Sequence, residues 1–380
     1  MTSNAVAYLD YNASAPVCAR AVNAVQQALA HAGNPSSVHR AGRIARRMVE
    51  DARETVAALV GGDPTHVVFT SGGTEANNLA LSGWPGEHLY VSAIEHPSVL
   101  AVATAGTPRL IPVDAKGRVD LDAFAEMAAV AAPGSLVSVM LANNETGVVQ
   151  PVTKVTEIAR RYGLLVHCDA IQAAGKIPVD VVDLGADMVT LSAHKIGGPQ
   201  GVGALLIRNG VDVAARIRGG GQEKGRRGGT ENVPGIAGFG AAAGEALVNL
   251  ADAPRIAELR DRLEARLQDV APDMAVIGAD VERLPNTSCL TMPGTDSEVQ
   301  VMAFDLAGVL VSAGSACSSG KVGPSHVLDA MGIPPDVART AIRVSLGIST
   351  TELDLNRFVD AWTALYRRAV VKDGNRRAAV

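Results

Sequence analysis

Ser192-Ala193-His194-Lys195, and Asp169-Ala170-Ile171-Gln172 just upstream, decide how this sequence is read. Each group closes a short apolar run, Leu164-Leu165-Val166 before one and Met188-Val189-Thr190-Leu191 before the other. Runs this short and this apolar predict buried parallel strands. Polar groups at the carboxyl ends of such strands sit where open α/β sheets bind ligands. An acid at one strand end and a lysine at the next suit pyridoxal phosphate (PLP). The lysine forms a Schiff base with its aldehyde, and the acid keeps the pyridine nitrogen protonated. A solvated lysine and a capping aspartate would use the same two residue types.

Working outward, further strands are expected at 67–70, 89–92, 110–113, 136–141 and 203–207, besides 164–169 and 188–192. Helical patterns at 40–60, 120–131 and 153–161 alternate with them, which predicts an α/β unit with a mostly parallel, seven-stranded sheet. A Gly-rich segment at 219–229 and an Ala-rich helix from about Pro234 follow. Beyond Pro254 the texture changes to a charged helix at 255–269, strands near 288–292 and 309–312, and later helices. This predicts a smaller α+β domain built from 1–10 and 251–380 beside a large domain of 11–250. The polar residues 371–380 are expected to fray.

The net charge of −5 gives no electrostatic case for nucleic acid or an anionic membrane. Arg43, Arg46 and Arg47 fall at helical spacing and read as a solvated face. The amino terminus lacks a signal peptide's basic and apolar regions. No run approaches the ~20 apolar residues of a membrane span; 236–251 comes nearest and is broken by Glu245 and Asn249. Cys18, Cys168, Cys289 and Cys317 are far apart with no metal-ligand spacing, so no metal and a reducing, cytoplasmic setting are expected.

Several loops carry chemistry. Thr70-Ser71-Gly72-Gly73-Thr74-Glu75 is a strand end, a Gly turn and a helix start, where backbone N–H groups and the Thr74 hydroxyl can hold a phosphate. Ser192 and His194 flank the lysine and add two donors. His96, after the 89–92 strand, is a candidate to stack on a ring and move protons. Asn144, in Asn143-Asn144-Glu145-Thr146-Gly147, is either a ligand of cofactor or substrate or a turn residue. Cys317 lies among Gly314, Ser315, Ala316, Ser318, Ser319 and Gly320, an accessible setting unusual for a free cysteine. Arg343 interrupts an apolar strand, so it either clamps a substrate carboxylate or forms an internal salt bridge.

With these residues assembled, the chain resembles the cysteine desulfurases, PLP enzymes of fold type I in the class V aminotransferase group. It is most similar to those serving nitrogenase and iron–sulfur assembly. The likeness is carried by Tyr8-Leu9-Asp10-Tyr11-Asn12-Ala13, Gly33-Asn34-Pro35-Ser36-Ser37-Val38-His39, the 70–75 turn, Glu95-His96 and the 143–147 loop. It continues through the two strand ends, Gly219-Gly220-Gly221-Gln222-Glu223, Arg227-Gly228-Gly229-Thr230, the cysteine loop and Ile342-Arg343-Val344-Ser345-Leu346-Gly347. The resemblance implies that Lys195 carries PLP and shuttles the substrate α-proton. Asp169 pairs with the pyridine nitrogen, Gln172 with the phenolate, and His96 stacks as acid/base. Gly73, Thr74, Ser192 and His194 hold the phosphate with Thr230 from a partner subunit, which implies a homodimer. Asn144, Arg343 and Asn34 bind substrate, and Cys317 takes sulfur from L-cysteine as a persulfide, leaving L-alanine. An iron–sulfur scaffold protein is the implied acceptor. Selenocysteine lyase, or another class V aminotransferase-like activity, is the alternative. Gly197 stands where Tyr or Phe is common in the family, and Cys168 where Val is.

Overall fold

Short runs of β-branched and aliphatic residues, each bounded by Gly, Pro or a polar turn, pair into one large sheet. The computed structural model describes residues 6–86, 88–104, 108–314 and 325–378. Across the sheet the strands run Val67–Thr70, Gly203–Ile207, Met188–Ser192, Leu165–Asp169, Leu136–Met140, Leu89–Ser92, Arg109–Ile111. All pairings are parallel except those of Gly203–Ile207, which is antiparallel to both neighbours. The seven-stranded, mostly parallel α/β sheet is thus as expected. The Arg109–Ile111 strand stops short of 113 because Pro112 has no N–H to extend the ladder.

Helices Arg40–Leu59 and Val233–Asn249 share the sheet's apolar core, and Ala19–Leu29 packs on Val233–Asn249. Gly240 of the Ala-rich helix approaches Ala52 so closely that a Cβ there would lie 2.6 Å from the Ala52 Cα. Phe239 meets Phe69 of the sheet edge-on. By length and composition alone Val233–Val270 could cross a bilayer, which the sequence reading did not expect. Half of its apolar window is buried inside the molecule, as in a core helix.

A second, four-stranded antiparallel sheet runs Ser312–Ala313, Ala341–Ser345, Thr287–Thr291, Val276–Ile277. Its apolar core gathers Leu259, Leu263, Phe304, Phe358 and Trp362. The single strand expected at 309–312 is two. Val309–Leu310 pairs in parallel with Ala7–Tyr8, and after Val311 the chain joins the small sheet. The terminal helix runs Glu352–Ala378, so the backbone at 371–378 is helical where fraying was expected. Lys372, Arg376, Arg377 and Ala378 are good helix formers, so polarity alone did not indicate fraying. From Ala7–Tyr8 the amino-terminal segment passes beside the small sheet, through an Asp10–Ser345 bridge, to the carboxyl ends of the large sheet.

Candidate active site

A cavity of about 270 Å³ opens at those carboxyl ends. It is lined by Lys195, Asp169, Gln172, Asn144, Ser192 and His194, and also by Gly73, Thr74, His96 and Arg343. Strand alternation sorts the residues of Leu165–Asp169. Cys168 packs into the apolar core, while His167 and Asp169 share the opposite face. Asp169 Oδ1 accepts from the Ile171 N–H at 3.0 Å and Oδ2 from Asn77 Nδ2 at 2.8 Å. Beneath it His167 lies between Ser138 Oγ (2.8 Å) and Thr190 Oγ1 (2.9 Å). Burial pushes the His167 pKa down to about 4, so the imidazole is neutral.

Lys195 ends the turn Ala193–Lys195, and its Nζ donates to the carbonyls of Asn12 (2.6 Å) and Ala13 (2.9 Å). Asn12 is fully buried and links every side of the site. Its carbonyl also accepts from Gln172 Nε2, its Oδ1 from Lys176 Nζ, and its Nδ2 donates to Thr287 Oγ1. Lys176 Nζ donates to Gln172 Oε1 at 2.6 Å, and burial, then Lys195 and Arg343, push its pKa well down.

The phosphate end is built from helix Gly73–Gly83 and the end of Met188–Ser192. Gly72 has a φ of +155°, a conformation that favours glycine, and a Cβ on Gly73 would lie 2.3 Å from Ile171 Cδ1, so the Ile171 side chain would have to shift to admit one. The Ser192 hydroxyl is buried with no hydrogen-bond partner among the described residues. His194 Nδ1 is 3.3 Å from Ser14 Oγ; burial, then Lys195 and Lys176, push its pKa to about 4. A helix start, a buried hydroxyl without a partner and a neutral imidazole fit an anionic phosphate. Together with a strand-end lysine and an adjacent, doubly hydrogen-bonded carboxyl, they fit PLP.

His96 Nδ1 lies 2.8 Å from Ser98 Oγ and accepts the Ser98 backbone N–H at 3.1 Å. Its pKa is pushed down chiefly by burial. The neighbouring Glu95 is fully buried, accepts from the Met140 N–H at 2.6 Å, and has its pKa driven well up by burial and then by Asp169. Arg343 forms the internal salt bridge that is one of the two readings of its sequence position. Nη2 pairs with Asp10 Oδ1 at 2.8 Å and Nη1 donates to the Asn144 carbonyl at 3.0 Å, yet the residue lines the cavity and its buried Nε has no partner among the described residues. Glu145 accepts from Ser325 Oγ at 2.5 Å, and burial pushes its pKa up to about 7.

Two expected residues stand outside the cavity lining. Asn34 is exposed, its Oδ1 taken by the Ser36 N–H. Thr230 is exposed on the loop after the left-handed residues Glu223 and Lys224. Cys317 lies outside the described residues. Sequence reasoning missed Asn12, Asn77, Ser98, Lys176 and His167. Each is next to a recognised motif or inside one, but its partners come from distant parts of the chain.

Residues 7–358 match the family description "Aminotransferase class-V". A cysteine desulfurase of Cereibacter sphaeroides is 44% identical over 366 residues, covering 93% of this chain and 94% of its own. The NifS-like protein of Rickettsia africae superposes with a TM-score of 0.89 at 36% identity, covering 95% of this chain and 99% of that one. SspA, whose structure was determined in complex with cysteine, superposes with a TM-score of 0.77 at 30% identity over 89% of this chain and 98% of its own. Matching these proteins nearly end to end in sequence and fold, the chain belongs to the cysteine desulfurases of the class-V aminotransferase family, PLP-dependent enzymes of fold type I.

Proposed function

We propose that this protein uses PLP to convert L-cysteine to L-alanine while Cys317 becomes a persulfide. The bonds balance: the substrate Cβ–S bond breaks, a bond forms between that sulfur and the Cys317 sulfur, and a proton takes sulfur's place on Cβ. The observation that carries the reading is the single cavity in which Lys195, the doubly hydrogen-bonded Asp169 and the unpartnered Ser192 hydroxyl converge.

PLP, when bound, supplies the electron sink for charge developing at the substrate carbons. Lys195 would hold its aldehyde carbon and, once released by the substrate amine, carry the α-proton. The Asp169 carboxyl would meet the ring nitrogen, and Gln172 the phenolate. Gly73, Thr74, Ser192 and His194 would hold the phosphate. The Arg343 Nε and Asn144 would orient the substrate carboxylate, with the Asp10 pair fixing the guanidinium plane. Asn34 also belongs to the proposed substrate set. His96 would exchange a proton with substrate. The Cys317 thiolate would take the sulfur.

The working unit is a homodimer in this reading, because exposed Thr230 is then free to reach the partner's phosphate site. Sulfur passes on to an iron–sulfur scaffold protein in the cytoplasm. The test is alanine release from L-cysteine by the PLP-loaded protein under reductant, with mass spectrometry of the cysteine peptides after one pulse. One added sulfur atom on the Cys317 peptide, and loss of both signals in Cys317→Ala, are expected. Near wild-type alanine release from Cys317→Ala would overturn the persulfide step.

A further inference from the structure

We propose that Asn77 and Ser98 fix His96 as its neutral Nε2–H tautomer, so that His96 enters the reaction as a proton donor. This rests on the functional reading above only for its consequence; the hydrogen-bond argument stands on the protein alone.

The chain of bonds starts at Asp169. Its Oδ2 is an acceptor, so the Asn77 amide must turn its NH₂ toward it, at 2.8 Å. The second hydrogen of the same NH₂ reaches Ser98 Oγ at 2.9 Å. Ser98 Oγ therefore accepts from Asn77, and its own hydrogen is left for His96 Nδ1, 2.8 Å away. The Ser98 backbone N–H, which cannot reverse its polarity, points at the same ring nitrogen at 3.1 Å. Two donors meet at Nδ1, and no hydrogen fits there. The ring hydrogen is then on Nε2.

Asn77 is fully buried and Ser98 and Asp169 nearly so, which keeps water from exchanging into the chain. A second proton on the ring would have to sit on Nδ1, against both donors. The charged and titratable groups facing His96 are Asp169, which favours the cation, and Lys195 and His326, which oppose it; burial opposes it too. His326 is held on this side by its Nε2 contact with the Glu95 carbonyl at 2.9 Å. A histidine so placed holds one proton, at Nε2, and gives it before it can take one. Ser98 and Asn77 are positioning residues in this scheme, acting through His96.

The test uses protein labelled with ¹⁵N-histidine, freed of cofactor, and read by long-range ¹H–¹⁵N spectra, with His96 identified by its loss in His96→Gln. Between about pH 6 and pH 8, a window around the ordinary histidine value, Nδ1 should show the unprotonated shift and Nε2 the protonated one. Ser98→Ala should raise the His96 titration midpoint by about one unit, the size of one lost hydrogen bond to the neutral form, and Ser98→Thr should restore it. Asn77→Ala should move it the same way by less. A wild-type His96 protonated at Nδ1, or a midpoint that Ser98→Ala leaves in place, overturns the proposal. The wild-type spectrum decides even if a variant fails to fold. Because no cofactor is present, failure here is separate from failure of the desulfurase reading, which alanine release decides.

Discussion

On the side of the cavity made by Leu165–Asp169 and Met188–Ser192, buried polar groups are neutral or doubly partnered. His167 is held without charge between two hydroxyls, and Asp169 has an N–H donor on each oxygen. On the side where the small sheet closes, the buried groups are charged or close to it. Arg343, 2% exposed, pairs with Asp10, and Glu145 sits near pH 7 with one hydroxyl donor. The number of fixed donors explains the difference. Asp169 has the Ile171 N–H and the Asn77 amide, and His167 the Ser138 and Thr190 hydroxyls, whereas Glu145 has the one Ser325 hydroxyl among the described residues. The second side should therefore respond to pH, through Glu145, and to truncation, through Arg343.

The largest expected effect is on the first side. Lys195→Ala should reduce alanine release by about a thousandfold. Its midpoint of thermal unfolding should stay within about 2 °C of wild type, because the Nζ bonds to the Asn12 and Ala13 carbonyls are each worth about 1 kcal/mol and water can enter the vacated space. A large loss of stability would erase the contrast between the two sides.

Arg343→Ala should cost on both counts. Among the described residues it leaves the Asp10 carboxylate with Ser312 Oγ alone, at 2.8 Å, and a cavity where a guanidinium stood. Breaking a buried ion pair from one side costs about 3–5 kcal/mol; Asp10 is 18% exposed, so about 2–3 kcal/mol is expected here, read by urea unfolding. KM for cysteine should rise together with this loss.

Glu145→Gln tests the pH response. The native pKa of Glu145, about 7, lies above its unfolded value of 4.5, so the native state binds the extra proton. Its contribution is fully present below the unfolded value and is lost as pH rises through about 7, a change on the order of 3 kcal/mol. Urea midpoints of Glu145→Gln between pH 5 and pH 8 should be flatter than those of wild type, since an amide oxygen still accepts from Ser325. Equal slopes in both proteins would show that Glu145 is not the titrating group.

The smallest effect belongs to the far face of the Asp169 strand. Cys168→Val swaps one small apolar group for another in the large core, at a cost below about 1 kcal/mol, with alanine release unchanged. A loss of activity there would mean that the neighbour of Asp169 is felt in the cavity after all.

What the sequence displayed was the part of the site that is local. Strand, polar terminus and turn are contiguous around Asp169, Lys195 and Gly73, so periodicity and composition located them. Asn77 and Ser98 were invisible for a physical reason. A buried asparagine matters because of what it bonds, and Asn77 bonds a carboxylate 92 residues away. Asn12 and Lys176 are alike in this: their partners lie up to 333 residues away, where no window along the chain brings them together. The split of 309–313 between two sheets was hidden similarly, because its first half pairs with Ala7–Tyr8. In the terminal helix, polarity was read as fraying although Lys372, Arg376, Arg377 and Ala378 favour helix.

The route of the amino-terminal segment sets an order of events during synthesis. Ala7 and Tyr8 leave the ribosome about 300 residues before the strand they join, Val309–Leu310, a wait of roughly 15–60 s at ordinary elongation rates. The seven strands of the large sheet, all between Val67 and Ile207, are complete long before that. A nascent chain can therefore hold a finished sheet, with Lys195 and Asp169 in place, while Asn12 still lacks Asn286 and Thr287, and Arg343 does not yet exist. Residues made late recruit residues made early, and only then does the cavity acquire its closing wall.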